Sequence, residues 1–327
     1  LTTMLAALLA EFPHVHAYTT NGADMLFVAS EQPLGEVDVS RLRSGPLGSE
    51  LERLGLSGRG DFMVRQVGNR DALTAVVTLF GATPHSDFHP TVALEAPKAR
   101  FMGESVQSLR TLAYAGLPVM ELTSALAPAS RADGVTPGSD RAGAIDYWIA
   151  RAVVDRLRGE GGEGLATMEA QVAEQVEVLL ALSAQPTLAP GDVDRWLTAV
   201  TVASDYSLRY LPPEDHQGAW IAPNWPGAAT ADPAVAVVLA AFEATALRDG
   251  ARMREAGLAA LEVLGQDRPP AIREQMLVIA ILGAIAEGDL AGAEAIERGE
   301  GASVPAASHY GFVRAYLLAW IDTQRGG

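Results

Sequence analysis

The chain has 327 residues, 49% of them apolar and 20% charged, which is long enough for two folded domains and too apolar for a disordered polypeptide. Its formal charge is −16, with 8 basic and 11 acidic residues in 1–100 (−3) and 16 and 29 beyond (−13), a surface that repels nucleic acid and anionic lipid headgroups. With no cysteine there is no disulfide framework and no thiolate metal site. No stretch reaches the roughly 18 consecutive apolar residues of a membrane span; residues 277–286 are the longest clean run and have the length of a core helix. The chain opens on Leu1 rather than methionine, which predicts a fragment or a processed chain, and residues 1–10 lack the basic leader of a signal peptide.

Residues 1–12 repeat apolar side chains at helical spacing (Met4, Leu5, Leu8, Leu9, Phe12), and Pro13 ends the helix. In residues 14–20, Val15, Ala17 and Thr19 alternate with His14, His16, Tyr18 and Thr20, the pattern of a half-exposed edge strand. Asn21-Gly22-Ala23-Asp24 supplies a turn. Met25-Leu26-Phe27-Val28-Ala29 is apolar throughout, as a strand buried on both faces is. A lone hairpin is marginal in water, so this one is expected to complete a larger sheet, most of it preceding residue 1. Residues 30–60 are rich in glycine, proline and charge, with a helical patch at 47–54. Asp61-Phe62-Met63-Val64 reads as a strand or a helix start, and residues 71–80 as a helix broken by Gly81 and Pro84.

Two phrases in this region carry a family resemblance. Phe12-Pro13-His14-Val15, leading into Asp24-Met25-Leu26-Phe27-Val28-Ala29-Ser30, resembles the end of the spermidine-synthase-like polyamine aminopropyltransferases, especially the long forms fused to membrane segments. Some sixty residues later, the stretch from Ser86-Asp87-Phe88-His89-Pro90 to Leu94-Glu95-Ala96-Pro97-Lys98 is similar to a second phrase of the long members. The resemblance covers residues 1–100. It implies the C-terminal portion of a methyltransferase-like, Rossmann-type α/β sheet closed by an antiparallel hairpin. It also implies a parent that moves an aminopropyl group from decarboxylated S-adenosylmethionine, its co-substrate, to a diamine such as putrescine. The family's glycine-rich cofactor loop and catalytic aspartates lie upstream of these phrases, so no catalytic residue and no cofactor site is carried over, and this chain alone is expected to be inactive. Phe88 and His89 replace an acidic and a basic or amide position of the family pattern. For localisation, the resemblance implies the cytoplasmic side of an inner-membrane-anchored bacterial parent.

From residue 101 the chain turns alanine-rich and helical. Helices are predicted at 105–115, 117–125, 144–157, 165–182 and from Asp192, as N-cap, to 211. Residues 128–143 read as an exposed linker. A long loop, 212–233, carries Trp220 and Trp225, and Asp232-Pro233 marks a helix start. Further helices are predicted at 234–247, 251–264, 270–287, 290–297 and 306–324. Asp249-Gly250 and Glu287-Gly288, 38 residues apart, each precede an alanine-rich second helix. That period resembles tetratricopeptide-type helix pairs, with an ordinary helical bundle as the alternative.

Asp87 and Glu95 are the carboxylates best placed to contact a cationic amine if the resemblance holds; otherwise Asp87 caps a turn before Pro90 and Glu95 pairs with Lys98 or Arg100. His14 with His16, and His85, Asp87 and His89, share strand faces suited to a metal, but without a partner motif the pattern predicts no metal site. No nucleophile elbow, dinucleotide fingerprint or phosphate loop is present in the sequence. Trp220 and Trp225 are expected to pin their loop to the helical core rather than to line a groove. The expected architecture is α/β followed by all-α: residues 1–100 of an aminopropyltransferase-like domain, and 101–327 as a helical repeat or bundle able to bind a protein partner. A second functional reading is a non-enzymatic helical scaffold carrying a degenerate aminopropyltransferase-like domain.

Overall fold

The computed structural model describes residues 1–20, 25–35, 38–86, 88, 90, 111–112, 115–124, 134–136, 144–160, 170–223 and 232–326. These residues are mostly helical, with one small antiparallel sheet. They fall into two compact units. The first comprises Leu1–Tyr114, Thr123–Ala144 and Ala315–Gly327, and the second Ala115–Leu122 and Ile145–Arg314.

The first unit opens with α1 (Thr2–Glu11), followed by β1 (His14–Thr19) and β2 (Met25–Ser30). Phe12, ahead of Pro13, takes extended backbone angles, which ends α1 and points the chain into β1. Three short helices follow: α2 (Val39–Arg43), α3 (Gly48–Arg53) and α4 (Arg59–Met63). After them come β3 (Gln66–Gly68) and α5 (Arg70–Leu79), the latter capped by the Asn69 side chain on the Ala72 amide at 3.2 Å. Residues 61–64 therefore belong mainly to a helix, and the strand lies just beyond, at 66–68. The reason lies in Asp61, whose buried carboxylate accepts from the amides of Ser57 (2.8 Å), Gly58 (2.9 Å) and Thr136 (2.7 Å) and fixes a helix start. Leu5 and Leu9 of α1, Val15 and Ala17 of β1, Val67 of β3, and Leu73 and Val76 of α5 form the core, and α1 packs on α5.

The strand order is β2-β1-β3, antiparallel throughout. β1 is thus central, not an edge strand as its alternation suggested: three residues of β3 were too few to show a period in the sequence. Strand β2 takes the edge. Its six residues, apolar up to Ser30, are half-buried or exposed, and none is fully buried.

In the second unit the sequence supplies α6 (Val119–Ser124, whose last two residues belong to the first unit), α7 (Ala144–Leu157), α8 (Ala170–Ser183) and α9 (Pro190–Ser207). Ala189 is the N-cap of α9, with Pro190 at the first helical position, so Asp192 sits in the first turn and complements the dipole instead of capping. A 3₁₀ turn at Pro213–His216 precedes α10 (Pro233–Leu247), which Asp232 caps through the Ala234 amide at 2.8 Å. Then come α11 (Gly250–Leu264), α12 (Pro270–Ala286), α13 (Leu290–Glu300) and α14 (Tyr310–Gly326), which belongs to this unit only as far as Arg314 and to the first from Ala315 on.

Helix α12 is the axis of this unit. Every residue from 272 to 285 is buried, the signature of a helix enclosed on all sides, and α9, α10, α11 and α13 all pack on it. Consecutive helices α10, α11, α12 and α13 pack in series. The α10–α11 and α12–α13 turns share one construction. A residue with positive φ (Arg248 at 57°, Gly288 at 75°) reverses the chain, and an aspartate (Asp249, Asp289) caps the next helix through the amide three residues on. Helix α11 meets α12 at Gly283, where a Cβ would lie 2.4 Å from the Arg254 amide nitrogen and 2.6 Å from the Gly250 carbonyl oxygen, so glycine is required.

Candidate functional site

Two places in the described residues combine chemistry with position, one in each unit. In the first unit it is the β2 side of the sheet. The register sets Val15 opposite Ala29 and Ala17 opposite Phe27, on the face that α1 and α5 cover. His14, His16 and Tyr18 stand opposite Ser30, Val28 and Leu26 on the other face. That second face is half-buried, and Leu26 is 51% exposed. His16 Nδ1 lies 3.4 Å from the Tyr18 hydroxyl. Burial lowers the His16 pKa, with the neighbouring His14 adding to it, so a neutral imidazole is favoured there. Among the described residues β2 pairs only with β1, and its other edge carries none of the charge or proline that usually guards a native sheet edge.

The second place is a polar junction around α12. Gln275, fully buried, donates to Ser204 Oγ (2.8 Å) and to Asp205 Oδ1 (3.0 Å), and the hydroxyl of Tyr310 also donates to Asp205 Oδ1. Asp205 keeps partial exposure as a residue, but its carboxyl lies among groups that have almost none. Burial therefore pushes its pKa up to about 7, and the Tyr310 hydrogen bond pulls the other way. Burial, followed by the Asp205 charge, raises the Tyr310 phenol well above its ordinary value. The preceding residue, Glu274, accepts from the Ser308 amide (2.9 Å) and hydroxyl (2.6 Å). Arg314 completes the junction by gripping Glu297 at 2.6 and 3.0 Å and the carbonyls of Val304 and Gly301.

A carboxyl titrating near neutrality beside a phenol is the composition of an acid–base pair. Here it is enclosed. Gly116 lies so close to the Asp205 backbone that a Cβ would fall 2.2 Å from its Cα and carbonyl oxygen, and neither described cavity includes Asp205. The arrangement holds α9, α12 and the start of α14 in one register. Spacing alone offers no clue to it, because Asp205, Gln275 and Tyr310 are far apart in sequence and ordinary in their local patterns.

The carboxylates chosen from sequence, Asp87 and Glu95, lie outside the described residues, as do His89 and Trp225. Phe88 is 92% exposed. His14 and His16 do share a sheet face, but among the described residues no group of three or more His, Asp or Glu side chains converges for a metal. Trp220 is pinned as expected: it is buried, its indole donates to Ser207 Oγ at 2.9 Å, and Phe242 meets it edge-on at 5.3 Å. Trp196 repeats the device on Ser183, also at 2.9 Å. No described helix is long and apolar enough to cross a membrane. Comparison with family models, curated proteins and solved structures finds no match to this chain.

Proposed function

We propose that the first unit is the closing part of a spermidine-synthase-like aminopropyltransferase sheet, and that β2 is an interior strand of the complete enzyme, paired on its open side with a strand that precedes residue 1. The observation that carries this reading is the contradiction inside β2: five apolar residues in a row occupy an edge and none is buried. A run of that composition belongs between two strands, and among the described residues only β1 pairs with it. In this reading the half-covered face with His14, His16 and Tyr18 also lies against the preceding part of the enzyme.

The chemistry of the whole enzyme would be displacement at carbon. A neutral amine of the diamine attacks the aminopropyl carbon of decarboxylated S-adenosylmethionine; the C–S bond to the sulfonium breaks, its electron pair leaves with sulfur as neutral methylthioadenosine, and a carboxylate base accepts the proton lost by the amine. This chain contributes the sheet closure, and Asp87 and Glu95 are the residues proposed to hold the cationic substrate. The test is an aminopropyl-transfer assay, with putrescine and decarboxylated S-adenosylmethionine, on the polypeptide that includes the coding sequence ahead of residue 1. Spermidine formation by that polypeptide and none by the 327-residue chain supports the reading; a folded, longer polypeptide with no transfer sinks it.

The alternative is a scaffold whose helical unit binds a protein partner. It is favoured by the shared construction of the α10–α11 and α12–α13 turns, which resembles a repeat of helix pairs.

A further inference from the structure

In the second unit, a cavity of about 540 Å³ opens between the C-terminal half of α11, the start of α12 and the turn after α13. Arg273 lines it and is 5% exposed. Two other arginines of this unit with little exposed side chain, Arg314 and Arg248, are well engaged. Arg314 holds Glu297 and two carbonyls; Arg248 holds Glu121 at 3.0 Å and the carbonyls of Thr245, Leu208 and Leu211. Among the described residues Arg273 makes a single hydrogen bond, to the Ser303 carbonyl at 3.3 Å, its Nε has no hydrogen-bond partner, and no carboxylate forms an ion pair with it. A buried guanidinium left this way is costly, and it faces a cavity with room for a small molecule.

The rim carries the opposite charge. Glu262 and Glu300 line the same cavity, are exposed, and form no ion pair among the described residues. Leu258 and Leu261 supply an apolar wall. A simple anion would satisfy Arg273 but meet two carboxylates; a simple amine would satisfy those and meet a cation. A molecule carrying both groups satisfies all three.

We propose that this cavity binds a small zwitterion, an α-amino acid with an aliphatic side chain. Its carboxylate takes the free edge of Arg273 in a charge-assisted pair, its ammonium lies against Glu262 and Glu300, and its side chain covers Leu258 and Leu261. The pairing is independent of the sheet reading, since it involves only the helical unit.

Titration calorimetry of the full chain tests it with three probes: L-leucine, 4-methylpentanoate (which lacks the amine) and 3-methylbutylamine (which lacks the carboxylate). Leucine is expected to bind about tenfold or more tightly than either analogue, one charged contact being lost in each. Arg273→Gln is expected to remove the advantage over the amine, and Glu262→Gln with Glu300→Gln the advantage over the acid. Should Arg273→Gln fail to fold by circular dichroism, the exposed glutamate variants decide alone. The proposal is overturned if leucine shows no heat up to about 10 mM, if it binds no better than its analogues, or if the variants leave its affinity unchanged.

Discussion

Tyr310 and Gln275 place their hydrogen bonds on the same oxygen of Asp205, Oδ1, so one carboxyl joins α9, α12 and α14. Its pKa, raised to about 7 in the fold, is near 3.8 in the unfolded chain. The folded state therefore holds the proton more tightly, and stability present below about pH 4 is lost as pH rises toward 7. The full loss is on the order of 2–4 kcal/mol, the lower figure allowing for the partial exposure of the residue. Asp205→Asn keeps an acceptor for both donors and cannot ionise. Urea unfolding is expected to show the variant more stable than the parent at pH 8, with the difference shrinking toward pH 4.

His216 works in the opposite direction. Burial first, then Arg248 and Arg158, hold its pKa down to about 3, against 6.5 unperturbed. The imidazole is neutral in the fold, so stability is full above pH 6.5 and falls as acid protonates the unfolded chain between 6.5 and 3. His216→Leu is expected to flatten that acid limb while leaving the limb set by Asp205. Stability measured at half-unit steps from pH 4 to 8 separates the two.

The α11–α12 crossing is expected to be intolerant of one methyl group. Gly283→Ala drives a Cβ into the Arg254 and Gly250 backbones and is expected to cost about 1–3 kcal/mol. Gly299→Ala, in α13 with nothing within 4 Å of its Cβ position, is expected to gain about 0.5–1 kcal/mol instead. Equal effects in thermal unfolding would contradict this account of the crossing.

Trp220→Phe keeps the ring's packing on Phe242 but leaves Ser207 Oγ without its indole donor. A loss of about 1 kcal/mol in chemical unfolding is expected.

Local signals were the legible part of this fold. Pro13, Asp232-Pro233 and the 25–29 apolar run placed α1, α10 and β2, because prolines, caps and short apolar runs act over a few residues. The three-residue β3 escaped because its pairing with β1 is decided at a distance, and Asp192 falls inside the first turn because Pro190 starts the helix with Ala189 as its N-cap. Gln275, Asp205 and Tyr310 could not be grouped from sequence, since only the packing of α9, α12 and α14 brings them together. The Arg273 cavity was equally hidden: an arginine early in an apolar helix reads as a solvated end until its burial is known.

The open edge of β2 is the centre of the account, and hydrogen–deuterium exchange tests it most directly. The alternate amides of Met25–Ser30 that point away from β1 would be followed in the 327-residue chain and in the polypeptide extended by its preceding coding sequence. Fast exchange in the former and strong protection in the latter is the expected result. Unprotected outward amides in a folded, extended polypeptide would show that β2 is a true edge, and the sheet-closing role would fall.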